Sequence, residues 1–274
     1  MDKKLIVLGI ESSCDDTSAA ILKGSNVLSN IISSQDIHKQ YGGVVPELAS
    51  RAHQQNIIPV VDTAIKSAKI NRSDIDVIAY TKGPGLLGSL LVGSSFAKSF
   101  SYSLSKPLVS VNHMKAHILA HFIEDEKNSS PDFPFICLTV SGGHTQIVLV
   151  NSFTEMKIIG TTLDDAAGEA FDKSAKVLGL DYPGGPLIDK FSKSGNINAF
   201  TFGKPKIKEL DFSFSGLKTS IMNKINSSLM TNPKFIDENL NDLCASIQHS
   251  IIRILLDKVE KAIIKTKVKS IAIA

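Results

Sequence analysis

The chain has 274 residues, 43% of them hydrophobic and 21% charged, with no tryptophan; this is the make-up of a globular protein with a sizeable core in one large or two medium domains. A formal net charge of +3 is too small to argue for nucleic-acid binding by charge alone. Three scattered cysteines, Cys14, Cys137 and Cys244, make no C-x-x-C and no disulfide framework, which fits a reducing, cytoplasmic compartment, and no apolar run is long enough to span a bilayer.

The first segment, "KKLIVLGIESSCDDTSAAILKG", reads strand, polar turn, strand, and its apolar run lacks a small-residue cleavage pattern. "VVPELASRAHQQNIIPVVDTAIKSAKI" places Ile57, Ile58, Val61 and Ile65 at helical spacing. "IDVIAYT" is a short strand. "GPGLLGSLLVGSSFAKSFSYSL" opens with Gly/Pro punctuation and continues as a helix of small residues. "PLVSVN" is a strand that runs into a histidine-rich stretch. The polar "EDEKNSSPDFP", with its two prolines, marks a boundary between a first lobe, 1–125, and a second, 126–274. "FPFICLTVSGGHTQIVLVNS" then repeats the strand, turn, strand plan of the N-terminus, which suggests a duplicated domain. "MKIIGTT" is a strand. "DDAAGEAFDKSAKVLGL" is a helix with Asp164 or Asp165 as its N-cap. "YPGGP" is a turn, "LCASIQHSIIRILLDKVEKAIIKTK" a long amphipathic helix, and "SIAIA" a buried strand. Strands alternating with helices predict an α/β architecture of two related lobes around a cleft.

Five stretches carry candidate chemistry. In "VNHMKAHILAHF", His113 and His117 stand at i and i+4, one turn apart on one helix face, and can share a metal ion. His121 extends that face. A pair of histidines is also often structural, and Met114 stands where the general-base Glu of an H-E-x-x-H protease would be. The turn "TVSGGHTQ" lets the backbone approach a ligand at Gly142 and Gly143, or is an ordinary hairpin turn. Its counterpart "ESSCDDT" offers Glu11, Asp15 and Asp16 to steer a metal or polar group, or to make turn hydrogen bonds. "TKGPGLLGS" is either an anion site at a helix start or close packing by small residues; it is not a P-loop. Asp172 within a helix, the glycines Gly184 and Gly185, and Asp189 could meet ribose hydroxyls, or lie on solvated faces.

Taken in order, "GIESSCDDTSAAI", "YGGVVPELASRAH", "GPGLLGSLLVG", "VNHMKAH", "VSGGHTQ", "DDAAGEAFDKSAKVLGLDYPGGP" and "DFSFSGLKTS" resemble the tRNA N6-adenosine threonylcarbamoyltransferase family, from Leu5 to the end of the chain. The resemblance implies the duplicated two-lobe fold of the actin, Hsp70 and sugar-kinase superfamily. It implies transfer of a threonylcarbamoyl group from threonylcarbamoyl-AMP to N6 of the adenosine 3′ of the anticodon in tRNAs reading codons that begin with A. By the family pattern His113 and His117 bind one divalent metal, iron(II) or zinc. Thr139, Val140, Ser141, Gly142 and Gly143, with Asp172, Gly185 and Asp189, hold the adenylate. The partners implied are tRNA, a smaller paralogous subunit and an ATPase subunit, with no membrane.

Family members continue for several dozen residues beyond the strand that matches "KSIAIA", with a Gly-Gly turn and Asn at the nucleotide and an Asp as third metal ligand. The expectation is a C-terminally truncated chain with an incomplete metal site. The alternatives are an inactive truncated form or a non-catalytic ATP-binding partner; a metallopeptidase is disfavoured by Met114.

Overall fold

Alternation of apolar and small or polar residues makes strands of Ile6–Glu11 (β1), Thr17–Lys23 (β2) and Asn26–Ser33 (β3), which pair antiparallel in sequence order. The computed structural model describes residues 4–124, 129–205 and 207–274. Pro46 at the first helical position opens a long helix, Pro46–Ser67 (α1). The chain then lays Val77–Gly83 (β4) parallel to β1. Leu87–Leu104 (α2), Leu108–Asn112 (β5) and the short helix His113–Leu119 (α3) follow. The strand order is β3-β2-β1-β4-β5.

One face of this sheet is apolar. Leu8, Ile10, Ala19, Ile21 and Ile78 are buried in one cluster with Ile57, Val60, Val61, Ala64 and Ile65 of α1. The predicted α1 stripe needs one correction. Ile58 is 65% exposed and Val60 is buried in its place, because a stripe stepping by three and four residues passes over position 58. The intervening strand residues Gly9, Glu11, Ser18, Ala20, Ala79 and Thr81 face the other way. With His113, Ala116 and His117 they line a cavity of about 490 Å³.

Small residues in "GPGLLGSLLVG" serve close packing. The Ser12 hydroxyl donates to Ser89 O at 2.9 Å, and the Leu86 N–H donates to Ser13 O at 2.7 Å. A Cβ on Gly93 would lie 2.1 Å from Ser12 Oγ. Gly93→Ala is therefore expected to cost about 1–3 kcal/mol by overpacking, despite alanine's higher helix propensity. Urea unfolding would measure this, and adding Ser12→Ala should recover part of the loss.

The second unit repeats the plan. Phe135–Val140 (β6), Thr145–Val150 (β7) and Met156–Thr161 (β8) pair antiparallel, and Ser270–Ile273 (β9) lies parallel to β6, in the order β8-β7-β6-β9. Between β8 and β9 come Ala167–Val177 (α4), Gly184–Ser192 (α5), Ser215–Leu229 (α6) and Phe235–Thr266 (α7). Phe135, Ile136, Cys137 and Leu138 are all buried, so β6 reads as an unbroken apolar run. Compact units span Met1–Ser130 and Pro131–Ala274; the boundary expected between 125 and 126 lies outside the described residues.

Three further expectations are corrected here. Gly184 and Gly185 are not a turn but the first residues of α5. α7 begins at Phe235, well before "LCASIQ". β9 is not a buried strand: Ala272 is buried, but Ile271 is 47% and Ile273 67% exposed. Alternation turns both isoleucines to the side of the sheet where the described residues do not cover them. No helix among the described residues is long and apolar enough to cross a membrane.

Candidate functional site

Strand register builds the first cluster. Ile10 of β1 pairs with Tyr80 of β4, which sets Thr81 beside Glu11. Thr81 pairs with Val111 of β5, and the next residue, Asn112, caps α3 by accepting the Lys115 N–H at 3.1 Å. His113 is thus the first helical residue, held at a strand–helix junction. Its Nδ1 lies 3.0 Å from Glu11 Oε2. The Thr81 hydroxyl donates to the same oxygen at 2.6 Å, and the Ser13 N–H donates to Glu11 Oε1. Burial pushes the Glu11 pKa upward, but hydrogen bonds from His113, Ser13 and Thr81 outweigh it and hold the carboxyl down to about 2.

His113 and His117 meet in a T-shaped arrangement, rings at 84°, with their Nε2 atoms 3.1 Å apart. Two nitrogens about 2.0–2.1 Å from one tetrahedral metal ion stand roughly 3.3 Å from each other. The pair therefore fits two ligand positions of one ion. Asp15 is half-buried and Asp16 exposed on the β1–β2 turn. Among the described residues no three His, Cys, Asp or Glu side chains group to hold a metal. His121 lies in the 3-10 turn after α3, and its buried Nε2 has no hydrogen-bond partner among the described residues. Cys137 and Cys244 are free and buried, which pushes both thiols up to about 11 and keeps them protonated.

A residue that sequence reasoning passed over holds the β1–β2 turn. His53 is wholly buried on α1; its Nδ1 lies 2.7 Å from Thr17 Oγ1 and its Nε2 3.0 Å from Cys14 O. The signal was a histidine four residues before Ile57, on the apolar stripe of the helix.

In the second unit the Ser141–His144 turn is closed by the Ser141 N–H donating to His144 O at 2.9 Å and the His144 N–H donating to Ser141 Oγ at 3.0 Å. Among the described residues a Cβ on Gly142 or Gly143 would meet nothing within 4 Å, so the tip of the turn is open. α4 abuts its base. The Gly168 N–H donates to Ser141 O at 3.2 Å, and a Cβ there would lie 2.7 Å from that oxygen. Thr139 is 2% exposed and its hydroxyl donates to Gln146 O at 3.3 Å; Val140 is half-buried. Farther along α4, Asp172 Oδ1 accepts the N–H groups of Gly184 at 2.8 Å and Gly185 at 3.4 Å, satisfying the start of α5. Asp189 sits exposed on α5 and pairs with Lys193 at 3.3 Å.

Asp164 or Asp165 was expected to cap α4. Instead Ala166 stands at that position without a side-chain bond, and Asp165 pairs with Lys173 at 2.6 Å. Asp164 caps α6: it accepts from the Phe214 N–H at 2.7 Å, the Ser215 N–H at 3.3 Å, and the hydroxyls of Ser213 and Ser215. Burial raises its pKa, but these donors outweigh it and leave the carboxyl below its usual range. Its folded pKa therefore lies below the unfolded one. The stabilisation is present above about pH 4 and fades as pH falls through the folded value. Asp164→Ala is expected to cost about 1–2 kcal/mol at pH 7. Urea unfolding at pH 7 and near pH 3 should show the gap between parent and variant narrowing in acid.

A model of the family described as tRNA N6-adenosine threonylcarbamoyltransferase matches residues 26–274. A relative of that name from Riemerella anatipestifer is 62% identical over 272 residues, covering 99% of this chain and 80% of its own length. Another from Christiangramia forsetii is 58% identical over 273 residues, covering 100% of this chain and 80% of its own. Among solved structures, component A of the (R)-2-hydroxyglutaryl-CoA dehydratase of Acidaminococcus fermentans aligns over 98% of this chain and 82% of its own, at TM-score 0.51 and 15% identity. That likeness concerns the fold alone. With two relatives above half identity across nearly every residue, the chain belongs to the tRNA N6-adenosine threonylcarbamoyltransferase family.

Proposed function

We propose that this chain transfers the threonylcarbamoyl group of threonylcarbamoyl-AMP to N6 of the adenosine 3′ of the anticodon in tRNAs reading codons that begin with A. The observation that carries this is the 62% identity over 272 residues to a relative of that name, a span that takes in both clusters described above. In the reaction a bond forms between adenine N6 and the carbamoyl carbon. The bond from that carbon to the phosphate oxygen breaks, AMP leaves, and N6 gives up one proton. His113 and His117 hold a divalent metal, iron(II) or zinc, supported by their converging Nε2 atoms. Bound there, the metal supplies Lewis-acid polarisation of an oxygen on the reacting group.

The adenylate is taken by the second unit. The open tip at Gly142 and Gly143 leaves room for an anion against backbone N–H groups. Thr139 and Val140 fix the strand that presents this turn, and Ser141 closes it. Asp172 holds Gly184 and Gly185 in place at the start of α5, with Asp189 further along the same helix. The chain works in the cytoplasm, which its three free cysteines support, with tRNA, a smaller paralogous subunit and an ATPase subunit as partners. A peptidase reading gains nothing from Met114, which is 9% exposed and carries no base.

The test supplies the metal-loaded chain with threonylcarbamoyl-AMP, unmodified tRNA and the two partner subunits, and follows labelled threonine into tRNA. Incorporation that depends on this chain is expected. No incorporation, under conditions where a relative succeeds, would overturn the proposal.

A further inference from the structure

We infer that Glu11 is a positioning residue for the histidine pair: it fixes which ring nitrogen of His113 carries the proton and so aims the other one at the ligand shared with His117. The inference rests on the metal reading above, and names a residue that acts on the metal without touching it.

Among the described residues, the groups that meet the Glu11 carboxylate are donors. The Ser13 N–H donates to Oε1, the Thr81 hydroxyl donates to Oε2 at 2.6 Å, and His113 Nδ1 lies 3.0 Å from Oε2 and, at a longer 3.4 Å, from the Ser13 hydroxyl, which can accept as well as donate. An ionised carboxylate only accepts. His113 therefore carries its proton on Nδ1. The lone pair of the neutral ring is then on Nε2, the atom 3.1 Å from Nε2 of His117. A carboxylate behind a metal-bound histidine works in this way, fixing the tautomer and ring orientation. The same contacts argue against Glu11 as a third ligand, since both of its oxygens are engaged behind His113.

Glu11→Gln separates this role from simple packing. It keeps the shape of the side chain and exchanges one acceptor for a donor. The Ser13 N–H cannot accept, so the amide oxygen stays on it and the amide NH2 faces Thr81 and His113. The Thr81 hydroxyl can rotate to accept. His113 then accepts at Nδ1, where the Ser13 hydroxyl 3.4 Å away can also rotate to donate, and its proton moves to Nε2, where it blocks the lone pair.

The experiment compares the full metal-free chain with Glu11→Gln and Thr81→Val, using imidazole proton–nitrogen correlation spectra and zinc(II) affinity measured against a competing chelator. In the parent the His113 proton should sit on Nδ1; in Glu11→Gln it should move to Nε2, with zinc binding weakened about 10–100-fold. Thr81→Val removes one donor and keeps the carboxylate; it should retain the Nδ1 proton and lose less affinity. A Glu11→Gln protein that keeps the Nδ1 proton and binds zinc within about twofold of the parent overturns the inference. Should Glu11→Gln not fold, a Thr81→Val protein with the His113 proton on Nε2 overturns it instead. A parent that binds no zinc sinks the metal reading, while the tautomer comparison still decides whether Glu11 orients His113.

Discussion

Gly184→Ala is expected to lower the unfolding free energy by about 2–3 kcal/mol, whereas Gly185→Ala, one residue on, should leave it within roughly 0.5 kcal/mol. Both glycines open α5, and neither has a positive φ. They differ in what stands beside them. A Cβ on Gly184 would lie 2.3 Å from Ala175 Cβ and 3.1 Å from Asp172 Cα, so α4 and α5 would have to move apart. That movement also stretches the 2.8 Å bond from the Gly184 N–H to Asp172. Among the described residues a Cβ on Gly185 would meet only Phe171 Cβ at 3.8 Å, an ordinary contact. Urea unfolding of the two variants beside the parent decides it. Equal effects would mean that the glycines are needed for something other than the approach of the two helices.

His113→Ala and His117→Ala are each expected to reduce threonylcarbamoyl transfer by about two orders of magnitude or more, and to remove tight binding of one metal ion per chain. The two should not add: once one nitrogen is gone the other has no shared ion to hold, so the double variant falls about as far as either single. Stability should change little by comparison. His113 and His117 are partly and largely exposed, while α3 is anchored by the buried Met114 and Ile118 and by the Asn112 cap. Rate, metal stoichiometry and melting temperature measured on the same samples check all three statements. Full metal binding by His117→Ala would remove the second histidine from the site.

The sequence made some of this legible and hid the rest, for physical reasons. Local periodicity was enough for β1–β2 and β6–β7, whose turns and alternation are written within about twenty residues. It was also enough to put His113 and His117 on one helix face. The sheet order needs more: β4 beside β1 and β9 beside β6 are parallel pairings closed over long intervals. The partner of His113 was hidden for the same reason. Glu11 is 102 residues away, and only the β1–β4–β5 register brings it there. Asp164 misled because an acidic residue before an apolar run is a good local cap, yet the donors it serves lie about fifty residues on. Gly184 and Gly185 read as a turn because glycine lowers helix propensity. The Asp172 carboxylate and the close approach of Ala175 make a helix start of them.

The order of elements along the chain has a consequence for biosynthesis. Glu11, Thr81, Asn112, His113 and His117 all belong to the unit Met1–Ser130, and the strands that align them are its first, fourth and fifth. The last of these residues leaves the ribosome well before the second unit has been made. At elongation rates of about 5–20 residues per second, the stretch from His117 to Ala274 takes roughly ten to thirty seconds to synthesise. Register formation within the first unit is far faster than that. The histidine pair can therefore take its shape on a nascent chain whose second unit does not yet exist.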